Sequence, residues 1–120
     1  MSKSKRIAST AILVASVLAV MPAYAVEQPL TGEELQAMVT DVDVEFSGRG
    51  LSGVTSYRLD GTATTKLTIG LSDNGNWWLD GDQVCTRWER FRRGEASCFT
   101  VHPSEGNTYQ TSHGFTIRAL

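Results

Sequence analysis

From Val42 to Arg118, turn-forming residues interrupt the chain about every ten residues, and the segments between them alternate apolar with polar side chains. Val42, Val44 and Phe46 fall on one face, with Asp41, Asp43 and Glu45 on the other. Tyr57 and Leu59 precede Asp60-Gly61, after which Ala63, Thr65, Leu67 and Ile69 alternate against Thr62, Thr64, Lys66 and Thr68. A second Asp-Gly, Asp80-Gly81, separates residues 76–79 from residues 83–89. Both dipeptides read as two-residue hairpin turns of type I′, which need positive φ at both central positions. Further turn clusters lie at 47–50, 73–75, 92–94, 103–107 and 112–114. The expectation is a mainly β chain: an antiparallel meander of about eight strands that curls into a small barrel or a strongly twisted sheet, removing exposed edges.

A helix precedes the strands. Thr31-Gly32-Glu33-Glu34 has the Thr-x-x-Glu spacing of a capping box, predicting a short helix over residues 32–39. Leu35, Met38 and Val39 share one apolar face, so the helix should lie against the strands or plug an open end.

The first 25 residues read as an export address. Lys3, Lys5 and Arg6 form a positive start, residues 11–21 an apolar run, and Ala23-Tyr24-Ala25 the small-x-small pattern of a cleavage site before Val26. Even counted from Ile7 the apolar run is about 15 residues, short of the ~20 that span a bilayer. No Cys follows the cut, so lipoprotein attachment is not expected and the product should be free in the periplasm or secreted. Removing three cations leaves 8 Lys and Arg against 13 Asp and Glu over residues 26–120, a charge of −5. A small acidic domain of this kind argues against a generally basic nucleic-acid binder and a multi-domain enzyme.

Cys85 and Cys98 are the only cysteines, and in an exported domain an even pair predicts a disulfide. Closing a loop of about 14 residues contributes on the order of 3 kcal/mol. If the two face each other across a ladder, Val84 lies opposite Phe99, Thr86 opposite Ser97 and Trp88 opposite Glu95. Val84, Trp88, Phe99 and Val101 then face the core, and the turn falls near Phe91 and Arg92. Tyr57–Gly61 and Trp77–Gly81 share aromatic-x-Leu-Asp-Gly, marking two hairpins of similar build.

Four of the eight basic residues, Arg87, Arg90, Arg92 and Arg93, fall within positions 87–93 with Phe91 among them. A basic hairpin tip on an acidic protein suits an anionic partner: a lipid phosphate, an acidic polysaccharide or a carboxylate of an envelope protein. The plainer reading is a solvated turn balanced by Glu89 and Glu95. Trp77 and Trp78 point to opposite faces, so at most one belongs to the core, and Trp78 is the candidate for an exposed anchor. Asp73, Asn74, Asn76, Asp80 and Asp82 lack calcium-loop spacing, and His102 and His113 lack paired-ligand spacing, so no metal or other cofactor is expected. No nucleophile elbow, zinc motif or phosphate loop occurs, leaving converging carboxylates as the route to a hydrolase or lyase.

The residues Leu30-Thr31-Gly32-Glu33-Glu34-Leu35, Gly75-Asn76-Trp77, Asp80-Gly81, Cys85 with Trp88, and Cys98 resemble small secreted alphaproteobacterial proteins grouped as a domain of unknown function. That resemblance implies a periplasmic or surface-associated β domain and brings no catalytic residue. A weaker likeness is to periplasmic lysozyme inhibitors, whose Ser-Gly-x-x-Tyr loop compares with Ser52-Gly53-Val54-Thr55-Ser56-Tyr57, one residue longer. The expectation for function is a non-enzymatic binding module of the bacterial envelope acting through Arg87, Arg90, Phe91, Arg92, Arg93 and Trp78. One alternative is a periplasmic inhibitor of a lysozyme-like hydrolase, and another is a small envelope-acting hydrolase or lyase using converging carboxylates.

Overall fold

In a computed structural model of the chain, residues 28–120 are described. The export signal expected over residues 1–25 and its cleavage position lie outside the described residues. Helix α1 (Gly32–Val39) begins where the capping box places it, with the Thr31 hydroxyl accepting from the Glu34 amide at 3.2 Å and the Glu34 carboxylate from the Thr31 amide at 2.8 Å. Its apolar stripe is used as expected: Leu35 and Val39 are fully buried. A second anchor was not foreseen, since the Gly32 amide donates to Asp82 Oδ1 at 2.8 Å and so ties the helix start to a distant hairpin turn. Gly32 sits so close to the Gly81 carbonyl that a β-carbon there would clash.

Nine antiparallel strands follow: β1 (Val42–Gly48), β2 (Leu51–Tyr57), β3 (Thr62–Leu67), β4 (Ser72–Asp80), β5 (Gln83–Trp88), β6 (Ser97–Phe99), β7 (Val101–Pro103), β8 (Tyr109–Thr111) and β9 (Thr116–Ala119). Their order is β6-β5-β4-β3-β2-β1-β9-β8-β7. The two terminal strands of that order are consecutive in sequence and joined by Thr100 alone. One bent segment therefore pairs with β5 through its first half and β8 through its second, and the sheet is a nearly closed barrel. Thr100 itself bonds Ser112, its amide to the hydroxyl and its carbonyl to the amide, both at 3.0 Å. This bend splits one expected strand into two, which raises the count from eight to nine.

Turn positions correct the sequence reading in three places. The two-residue turn with both centres left-handed is Arg49-Gly50, at φ 54° and 80°. Around Asp60-Gly61 the loop is Leu59-Asp60-Gly61 with only Gly61 left-handed, and after Asp80 it is Gly81-Asp82 with only Gly81 left-handed, as in a type II′ turn. Residues 73–75 form no turn but lie inside β4. The β3–β4 connection is Thr68-Ile69-Gly70 instead, so Ile69, like Leu59, is exposed rather than a strand residue.

The disulfide register is as expected. Cys85 faces Cys98 with Cα atoms 4.0 Å apart, flanked by Val84 opposite Phe99 and Thr86 opposite Ser97. The ladder stops there, and Trp88 pairs across β4 with Gly75 rather than with Glu95. Inward side chains Leu35, Val39, Val44, Ala63, Trp77, Val84 and Val101 fill the end of the barrel under α1. Outward positions such as Asp43, Glu45, Lys66, Arg87 and Arg118 are exposed and charged, so the wall faces water. No helix among the described residues is long and apolar enough to cross a membrane.

Candidate functional site

The end of the barrel away from α1 is open. Its interior holds a cavity of about 300 Å³, walled mainly by Phe46, Tyr57, Trp88, Phe91, Phe99 and Phe115. Alternation builds it, because successive inward positions on each strand deliver one wall residue each. Gly53 contributes by absence: a β-carbon there would meet the Phe46 ring and the Lys66 carbonyl, so glycine lets that ring lie over β2. Phe46 and Phe115 then meet edge to face at 5.7 Å.

Polar groups are few and placed. Inward threonines Thr55, Thr65, Thr86 and Thr111 are all buried. Thr55 and Thr65 bond each other at 2.9 Å, and Thr111 accepts from the Phe115 amide at 3.1 Å. The facing hydroxyls of Thr86 and Ser97 line the cavity and bond no described residue. Thr86 is buried whereas Ser97 is half-buried, and a buried hydroxyl without a partner costs about 1–3 kcal/mol, so Thr86 presents unused hydrogen-bonding capacity to the cavity. None of the cavity-lining side chains is a carboxylate, and Asp73 is the only carboxylate buried among the described residues.

Asp73 does structural work at the rim. Its carboxylate accepts amide hydrogens from Asn74, Arg90 and Phe91, each at 2.8 Å, and faces Arg90 Nε at 3.5 Å. Burial pushes its pKa up, but the three amides and the guanidinium outweigh burial and hold it below the ordinary carboxylate range. The result pins the start of the kinked Phe91–Gly94 turn over the barrel mouth. Within that turn Arg92 and Arg93 are left-handed, at φ 56° and 55°, a conformation costing roughly 1–2 kcal/mol per residue without glycine. Such strain persists where surrounding contacts hold it.

Three cationic or titratable groups converge at this mouth. Arg92 and His113 line it, and Arg49 reaches the His113 carbonyl at 3.4 Å. The His113 pKa is lowered by burial first, then by Arg92, then by Arg49. Neither Arg49 nor Arg92 forms an ion pair with a described residue; the pairs present are Arg90 with Asp73 and Arg118 with Glu45.

Of the six residues singled out from sequence, Phe91 and Arg92 reach the cavity and Arg93 follows on its rim. Arg90 is engaged by Asp73 and by the Ser72 carbonyl. Arg87 and Trp78 lie on the outer wall, Trp78 38% exposed on the face that carries Cys85. Sequence reasoning assigned no site role to Arg49, Thr86, Ser97 or Phe115, and weighed His113 only as a metal ligand. The available signal was threonine at inward positions of alternating strands, where a filled core would carry aliphatics. In β4, Asp73 turns inward and Asn74, Asn76 and Asp80 outward, while Asp82 caps α1, so the oxygen-rich stretch disperses.

Fold and site together define a small antiparallel barrel, plugged at one end by a helix and open at the other onto an aromatic cavity under a cationic rim. The chain matches no known protein family, no curated protein and no solved structure.

Proposed function

We propose that the protein is a binding module of the cell envelope that takes a compact amphipathic organic anion into the open end of its barrel. The observation that carries this reading is the pairing of an apolar cavity with two guanidiniums at its mouth that no described carboxylate neutralises. The volume equals about ten waters at ~30 Å³ each, which suits an apolar body of roughly ten to twelve non-hydrogen atoms. Aromatic walls favour a flat ring system, and Arg92 with Arg49 supplies bidentate donors for a carboxylate, sulfonate or phosphate head. The formed Cys85–Cys98 bridge supports an oxidising location such as the periplasm or the exterior.

Calorimetric titration with 2-naphthoate tests the reading, with uncharged naphthalene-2-carboxamide as comparator. The expected result is one saturable site per chain, weakened about tenfold or more by Arg92→Glu and by loss of the ligand charge. Absence of saturable binding, or equal binding of both compounds by wild type and variant, contradicts it.

A further inference from the structure

The open rim carries side chains that the cavity does not explain. Ile69 is 70% exposed at the tip of the β3–β4 turn and Leu71 is 54% exposed beside it, and neither lines the cavity. Gly70, Leu71, Arg90 and Phe91 share one shallow hollow, which places Leu71 against the start of the strained arginine turn, with Ile69 exposed beside it. Arg49, Arg92 and Arg93 stand on the same rim.

The opposite end has the reverse character. Glu33 and Glu34 on α1, Asp41 before β1, Asp60 in the β2–β3 turn, and Asp80 and Asp82 around the β4–β5 turn all lie there, with Arg58 as their basic neighbour. The described residues are acidic as a whole, eight Lys and Arg against twelve Asp and Glu, yet the open end carries Arg49, Arg90, Arg92 and Arg93 against exposed Glu89 and Glu95 and the buried Asp73, while the closed end is dominated by carboxylates.

We infer that the protein docks end-on to an anionic membrane surface through Ile69 and Leu71 together with Arg49, Arg92 and Arg93, presenting the cavity mouth to the lipid. Aliphatic side chains on loop tips enter the headgroup boundary, and arginines beside them bond lipid phosphates. An acidic molecule is repelled by an anionic surface in every orientation except the one that turns its carboxylate end away. Charge therefore selects the pose as well as the partner. The two aliphatics project from a single turn tip rather than line a continuous groove, which suits a fluid surface better than a folded protein. The inference stands apart from the cavity ligand, because the residues it adds lie outside the cavity and its readout uses protein without ligand.

The test is co-sedimentation of the exported protein, its N-terminus verified by mass, with phosphatidylcholine vesicles with and without phosphatidylglycerol. Each variant is first shown to melt like wild type. Wild type should partition onto the anionic vesicles and not onto the zwitterionic ones. Arg92→Glu with Arg93→Glu should reduce partitioning about twentyfold or more, near fivefold for each arginine lost. Ile69→Ser with Leu71→Ser should reduce it about tenfold. Failure of wild type to partition onto anionic vesicles, or equal partitioning by wild type and both variants, overturns the inference.

Discussion

Asp73 connects a single carboxylate to the shape of the mouth, because the three amides it accepts include the two that start the arginine turn. Its pKa is held down in the fold, so its contribution is present above the ordinary carboxylate range and is lost as pH falls through the depressed value. Asp73→Asn should lower stability by about 1–3 kcal/mol at neutral pH, and the variant's denaturant midpoint should change less than wild type's on acidification below about pH 4. His113 bears on ligand binding rather than on the rim's stability. Its lowered pKa keeps the imidazole neutral near pH 7, and an anion seated beside it should raise that pKa. Binding then takes up a proton, so affinity for naphthalene-2-sulfonate, which stays ionised, should rise as pH falls from 7.5 toward 5.5. Calorimetry at these pH values checks this, and His113→Gln should flatten the profile. Thr86 offers a third check. Thr86→Val removes an unpartnered buried hydroxyl and should leave the empty protein as stable or up to about 1 kcal/mol more so, as read by chemical denaturation.

Elements were legible in proportion to how local their signals are. The capping box and the apolar stripe of Leu35 and Val39 lie within one helix, and its bounds match the expected ones. The Cys85–Cys98 register followed from antiparallel geometry, and Val84, Trp88 and Val101 are buried as it required. Turns were harder. Thr68-Ile69 looks like strand because its residues are β-branched, whereas Asp73-Asn74-Gly75 looks like turn because those types favour positive φ. Pairing with β3 and burial of Asp73 override that local preference, a tertiary effect that no short window contains. Likewise, the bond from Gly32 to Asp82 joins residues 50 apart and leaves no mark in either segment. The staple is the element whose loss should matter most. Cys85→Ala with Cys98→Ala should lower the unfolding free energy by on the order of 3 kcal/mol in urea titration. Leu35→Ala, under the plug, should cost about 2–5 kcal/mol.

At the scale of the whole molecule, the barrel has two unlike ends, one sealed and acidic, the other open, aromatic and cationic. The sequence revealed the cluster around Arg92 because those residues are adjacent in the chain. It concealed the site that Arg92 joins, because Arg49, Thr86, Phe99 and His113 come from four separate segments that only barrel closure brings together. Amide chemical-shift mapping with 2-naphthoate tests most directly whether that open end is the functional one. Saturating shifts should concentrate at Thr86, Ser97, Phe99, His113 and Phe115, with α1 unmoved. Shifts confined to the outer wall around Trp78 and Arg87, or none that saturate, would contradict a ligand in the barrel.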